Sequence, residues 1–176
     1  MKYSDIPQLI KSGHYQVNIP LSYFDQWIKE SIENGLNLNP DFQRGHVWTR
    51  QQQIAYVEYL FRGGKSGRLL YFNCPNFHAG GRKDFVCVDG LQRITAILKF
   101  LHDELPIFGA YYHEFDGSIP FDIDVLANVN DLKDKRDVLR WYIEMNSGGT
   151  PHSVQELARV RKMLFDLNSE RGNTNE

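Results

Sequence analysis

Val86–Phe100 reads VCVDGLQRITAILKF: a short apolar run, an Asp-Gly step, then apolar residues at helical spacing. Phe85–Val88 is apolar throughout, which predicts a strand buried on both faces and central in its sheet. Asp89-Gly90 ends the strand. Leu91, Ile94, Ile97, Leu98 and Leu101 form a helical stripe. Strand, turn and helix leave Leu91–Arg93 in a helix's first turn, where backbone N–H groups are unpaired and the helix dipole is positive. An anion is stabilised at such a place. Arg93 adds a planar fork of donors suited to phosphate oxygens, and Gln92 an amide that donates or accepts. Asp89 would repel a phosphate, so three roles stay open to it: magnesium ligand, base for water or a hydroxyl, or helix N-cap. The purely structural alternative is a capped helix whose Arg93 pairs with a neighbouring acid.

Upstream of this stretch, residues 1–14 read as a helix-forming arm. Tyr15–Pro20 alternates like a strand. Ser22–Ile32 carries Phe24, Trp27, Ile28 and Ile32 on one helical face, with Ser22 and Asp25 placed to cap it and Asn34-Gly35 to stop it. Asn37–Trp48 (NLNPDFQRGHVW) is loop-like. Thr49 and Gln52 form a capping box before a helix whose inner face is Ile54, Val57, Leu60 and Phe61. Arg62–Arg68 is a glycine-rich turn, and Leu69–Asn73 a strand.

Downstream, residues 103–136 read as irregular. Val138–Met145 (VLRWYIEM) reads as a strand, with a helix as the alternative. Asn146–Pro151 (NSGGTP) is a loop, and Ser153 with Glu156 caps a last helix with Leu157, Val160 and Leu164 inward. The tail after Asn168 is expected to fray. The expected organisation is an arm (1–14), one domain (15–166) and a tail (167–176). Its class is α+β, a small mixed sheet surrounded by helices.

The chain has 176 residues, 41% apolar and 24% charged, with a net charge of −2. That suits one globular domain and supplies no global basic field for nucleic acid, so any DNA contact would come from a local patch. No apolar run is long enough to span a bilayer, and the first residues lack a signal peptide's apolar core. A cytoplasmic protein is the expectation (host cytoplasm if phage-encoded). Cys74 and Cys87 sit in apolar strand-like contexts and read as reduced core residues. No CxxC or HxxxH spacing suggests structural zinc. Gly63–Gly67 (GGKSG) is no P-loop, because Tyr59 stands where that motif needs glycine and the segment runs from helix to strand.

Two other clusters share the chemistry of the Asp89–Arg93 turn. Gln43 and Arg44 form a second Gln-Arg pair between Phe42 and Trp48, with His46 nearby. Arg44 would reach the same phosphates, and Phe42 or Trp48 would stack on a base. The alternative makes both aromatics core anchors. In NSGGTP, Gly148 and Gly149 allow close backbone approach, and Asn146, Ser147 and Thr150 offer neutral hydrogen bonds.

NPDFQRGHVW, then VDGLQRITAILKF, then MNSGGTPHSVQEL, in this order and spacing, resemble the DGQQR-motif family of ParB/sulfiredoxin-like domains. That family supplies the N-terminal part of GmrSD-type restriction proteins and of SspE-like phage-defence proteins. Leu91 replaces the motif's first glutamine and reads as an addition to the core stripe. The resemblance implies a nucleotide site of Asp89, Gly90, Gln92 and Arg93, joined by Gln43, Arg44, Asn146, Gly148, Gly149 and Thr150. It implies magnesium-dependent hydrolysis of a nucleoside triphosphate or transfer of its phosphate. Asp89 would meet the magnesium, while Arg93 and Arg44 would stabilise the transferring phosphoryl group. Read as it stands, the chain leaves no room after the third motif for an HNH-type nuclease, which implies a short stand-alone version working with a nuclease or a host-defence protein. A DNA-binding nuclease or DNA-modifying protein, and a non-catalytic phage or host-defence module, are the competing readings.

Overall fold

The computed structural model describes Ile6 and residues 14–43, 45, 47–77, 84–147 and 154–172. The chain forms β1 (His14–Pro20), α1 (Leu21–Glu33), α2 (Arg50–Phe61), β2 (Leu69–Asn73), β3 (Val86–Asp89), α3 (Leu91–Leu101), β4 (Asp124–Asn130), α4 (Lys135–Ser147) and α5 (Val154–Gly172), with a 3-10 turn at Tyr112–Glu114. The four strands make one mixed sheet in the order β1-β4-β2-β3. β4 runs parallel to β2 and antiparallel to β1, and β3 is antiparallel to β2. This is the expected α+β architecture. The arm lies outside the described residues apart from Ile6 and His14, which begins β1.

Each sheet face is covered by helices. On one side Val125, Ala127, Val129, Leu70, Phe72 and Cys87 pack against Phe24 and Ile28 of α1 and Ile94 and Ile97 of α3. On the other, Val88 packs with Val138, Leu139, Trp141 and Tyr142 of α4 and Val160 of α5. Val57 of α2 and Ala96 and Phe100 of α3 join Leu105 and Ile107 in a third cluster. Cys74 and Cys87 are buried and not joined in a disulfide, as expected. No described helix is long and apolar enough to cross a membrane.

Five elements differ from the sequence reading. β3 is an edge strand, apolar because helices cover both its faces rather than because strands flank it. Its open edge is closed by the preceding loop: Asn37 N donates to Phe85 O and Cys87 N to Asn37 O, both at 2.9 Å. β4 lies within the segment read as irregular and occupies the sheet interior. Val138–Met145 is helical, because Val138, Trp141, Tyr142 and Met145 recur at helical spacing toward one cluster. α1 starts one residue early, at Leu21, with Pro20 as N-cap and no side-chain cap, so Ser22 lies inside the helix. α5 runs to Gly172, past the expected end at Asn168. The Thr49–Gln52 capping box is present, and Gly35 ends α1 region with a φ of 94°. The Ser153 cap lies outside the described residues.

Candidate functional site

Gly90 makes the step from β3 to α3. Its φ is 135°, and a Cβ there would lie 2.8 Å from Leu70 Cδ2, so a side chain at this position meets both backbone strain and a packed neighbour. Gly90 is also the N-cap of α3, and no side chain caps the helix. Asp89 is therefore not the cap: it ends β3, and its Oδ2 accepts from Arg93 Nη2 at 2.5 Å. Arg93 Nη1 donates to Leu69 O at 2.6 Å. The Arg93 side chain is only 16% exposed, against 38% for Asp89. The two groups form a compensated ion pair across the first turn of α3.

The two glutamines fasten the flanking loop to this turn. Gln92 Oε1 accepts from Val47 N at 2.9 Å and Trp48 N at 3.0 Å, and its Nε2 donates to Gly45 O at 3.1 Å. Gln43 Nε2 donates to Cys87 O at 2.5 Å. Gln43 and Gln92 line a small hollow of about 60 Å³ with Val88, Asp89, Leu91 and Tyr142. Leu91 is half-buried in that wall rather than part of the core stripe. Burial pushes the Cys87 thiol, behind the hollow, up to about 12, which leaves it protonated and unreactive.

The two aromatic residues pack against neighbours, as in the alternative to base stacking. Phe42 is 3% exposed and packs edge-to-face on Tyr142 at 5.4 Å, so it offers no open face to a base. Trp48 packs edge-to-face on Tyr56 at 5.3 Å. Asn146 belongs to the last turn of α4 rather than to a loop, and its Nδ2 donates back to Tyr142 O at 2.7 Å. Arg44, His46, Gly148, Gly149 and Thr150 lie outside the described residues.

Two residues that sequence reasoning missed shape the site. Tyr142 forms part of the hollow's wall; the helical period of α4 was the signal for it. Arg159 of α5 donates to Asp41 O at 2.6 Å, Phe42 O at 3.1 Å and Gln43 O at 3.0 Å. A lone arginine on an exposed helix face carries no such signal, because its partners are backbone carbonyls distant in sequence.

Among the described residues, Asp89 is the one carboxylate on the hollow's wall, and no group of three His, Cys, Asp or Glu side chains gathers to hold a metal ion. Asp89 would be the residue to hold a magnesium ion there, with phosphate oxygens and water as its other partners.

The model of the GmrSD restriction endonuclease N-terminal domain matches residues 25–126. No curated protein and no solved structure matches the chain. The matched segment runs from α1 into β4 and includes the Gln43 loop and the Asp89–Arg93 turn, while Asn146 falls outside it. Because it spans more than half of the chain, the protein belongs to the family of GmrSD restriction endonuclease N-terminal domains.

Proposed function

We propose that the hollow at the start of α3 binds a nucleoside triphosphate with magnesium and that the chain is the nucleotide-dependent part of a restriction or defence system. The observation that carries this reading is the helix start itself: α3 begins at a glycine with no side-chain cap, and a largely buried arginine stands beside it. Backbone donors, the helix dipole and the guanidinium suit the same anion. Family membership supplies the restriction context.

Asp89 gives the site its logic. With Asp89 on Arg93, the pair is neutral and the carboxylate repels an incoming phosphate. Asp89 would hold a magnesium ion, whose charge would let carboxylate and phosphate share the site. Arg93 is then free to turn its outer N–H groups to a phosphate oxygen and to hold charge that develops on the transferring group. Gln92 and Gln43 act as positioning residues, since both amides hold backbone around the hollow. A thermal-shift panel of the four nucleoside triphosphates with magnesium, followed by phosphate release on any that stabilises the protein, tests this reading. Turnover is expected to fall at least ~100-fold in Asp89→Ala and in Arg93→Ala, the scale of a lost electrostatic group. No stabilisation by any triphosphate, or turnover unchanged in both variants, contradicts it.

A further inference from the structure

A second, larger cleft of about 550 Å³ lies beside the hollow. Val86 lines the cleft and Val88 the hollow, two positions apart on β3, or about 6–7 Å along a strand. Val138 lines the cleft and Tyr142 the hollow, four positions apart on α4, or about 6 Å along a helix. Phe42 lines the cleft and Gln43 the hollow, so the loop held by Arg159 is the partition between them. Two compartments thus stand side by side along one strand and one helix.

Their chemistry differs. The cleft has apolar walls at Pro40, Pro75, Val86 and Leu132, with the carboxamides of Asn37 and Asn73 set among them. Its two lysines are already neutralised: Lys135 pairs with Asp41 at 2.7 Å and Lys133 with Asp131 at 2.5 Å. Among the described lining residues no uncompensated cation is left for a phosphate. Asn73 is locked by Leu132, whose N donates to Asn73 Oδ1 at 2.8 Å and whose O accepts from Nδ2 at 3.0 Å. One N–H and one lone pair of that amide remain. Beside Asn73 in register stands Asn130, 0% exposed, with neither amide atom hydrogen-bonded. Buried amides without partners are costly, so this end of the sheet is polar beyond what packing requires. Apolar walls, amide donors and acceptors, the carboxylate of Asp84 as a further acceptor and a volume in the range of small-molecule sites suit a planar heterocycle that carries N–H donors as well as acceptors.

We infer that this cleft is the nucleoside compartment of the site, receiving base and sugar while the start of α3 receives the phosphates. The inference rests on the triphosphate reading above and adds where discrimination between bases arises: at Asn37 and Asn73. The test uses the whole isotope-labelled chain in amide NMR titrations with adenosine, guanosine, cytidine and uridine, each without phosphate, and with inorganic tripolyphosphate plus magnesium. At least one nucleoside is expected to shift the amides of Val86, Leu132 and Lys133, and tripolyphosphate to shift those of Leu91–Arg93 alone. Asn37 is exposed, so Asn37→Trp obstructs the cleft from its rim. That variant is expected to lose the nucleoside shifts and to bind the matching triphosphate at least ~10-fold more weakly, the low end of discrimination by a pocket, with tripolyphosphate affinity unchanged. If no nucleoside shifts the cleft amides of the unaltered chain, or if Asn37→Trp binds the triphosphate as the unaltered chain does, the inference is overturned while the phosphate site stands. If nucleosides shift the cleft but tripolyphosphate leaves Leu91–Arg93 unmoved, the cleft is upheld and the phosphate reading fails.

Discussion

Gly90 carries two constraints at once. Its φ of 135° is strained for any L side chain, and Leu70 fills the space a Cβ would need. Gly90→Ala is therefore expected to lower stability by about 1–3 kcal/mol, the range for a residue forced into a sparsely populated backbone region, with the midpoint of urea denaturation as the measure. An unchanged midpoint would mean the turn relaxes freely and does not fix the start of α3. Around Gly90, the Asp-Gly step and the Gln-Arg pair were legible in the sequence, because a buried strand running straight into an amphipathic helix leaves few other geometries for the turn. The roles of single side chains were less so. Asp89 pairs with Arg93 instead of capping, and Leu91 faces the hollow instead of the core, since both outcomes depend on where Leu69, Leu70 and Tyr142 stand.

At the scale of elements, α5 reaches the site through Arg159. Its guanidinium accounts for the carbonyls of three successive residues in the loop that separates hollow from cleft. Arg159→Ala is expected to cost about 1–2 kcal/mol, because bonds to a charged donor are lost at an exposed position, and to raise hydrogen-exchange rates at Phe42 and Gln43. Exchange that stays at its original rate would show that packing of Phe42 on Tyr142 alone holds the loop. The helices α1 and α3 were readable because each has a wide apolar stripe, and α2 because the Thr49–Gln52 capping box marks its start. β4 was not: its alternation of Val125, Ala127 and Val129 is present, but Asn128 and Asn130 occupy the other face, where strand propensity is poor. α4 misleads in the opposite sense. Val, Trp, Tyr and Ile give it strand-like composition, and only its packing against Val88 and Phe42 makes the helical period decisive.

Across the whole molecule, the layers on the α1 side are joined by charge as well as by apolar packing. Asp25 of α1 accepts from Lys29 at 2.5 Å and meets His102, just past α3, at 2.8 Å. Burial alone would raise its pKa, but Lys29 and His102 outweigh that and hold it below the ordinary carboxylate value. A carboxylate with a lowered folded-state pKa contributes stability above its unfolded value, near pH 4, and loses it as pH falls through the folded value. Melting temperatures between pH 6 and pH 3 are thus expected to fall less steeply in Asp25→Asn than in the unaltered chain; parallel curves would remove Asp25 from the acid response. The central claim concerns the other end of α3, where the helix start and Arg93 are proposed to bind the phosphates of a nucleotide. Calorimetric titration of magnesium-bound nucleoside triphosphates into the unaltered chain and into folded Arg93→Gln tests it most directly. Binding of at least one triphosphate, weakened ten-fold or more by the substitution, is the predicted result. Equal affinity in the two proteins, or no binding to either, would contradict it.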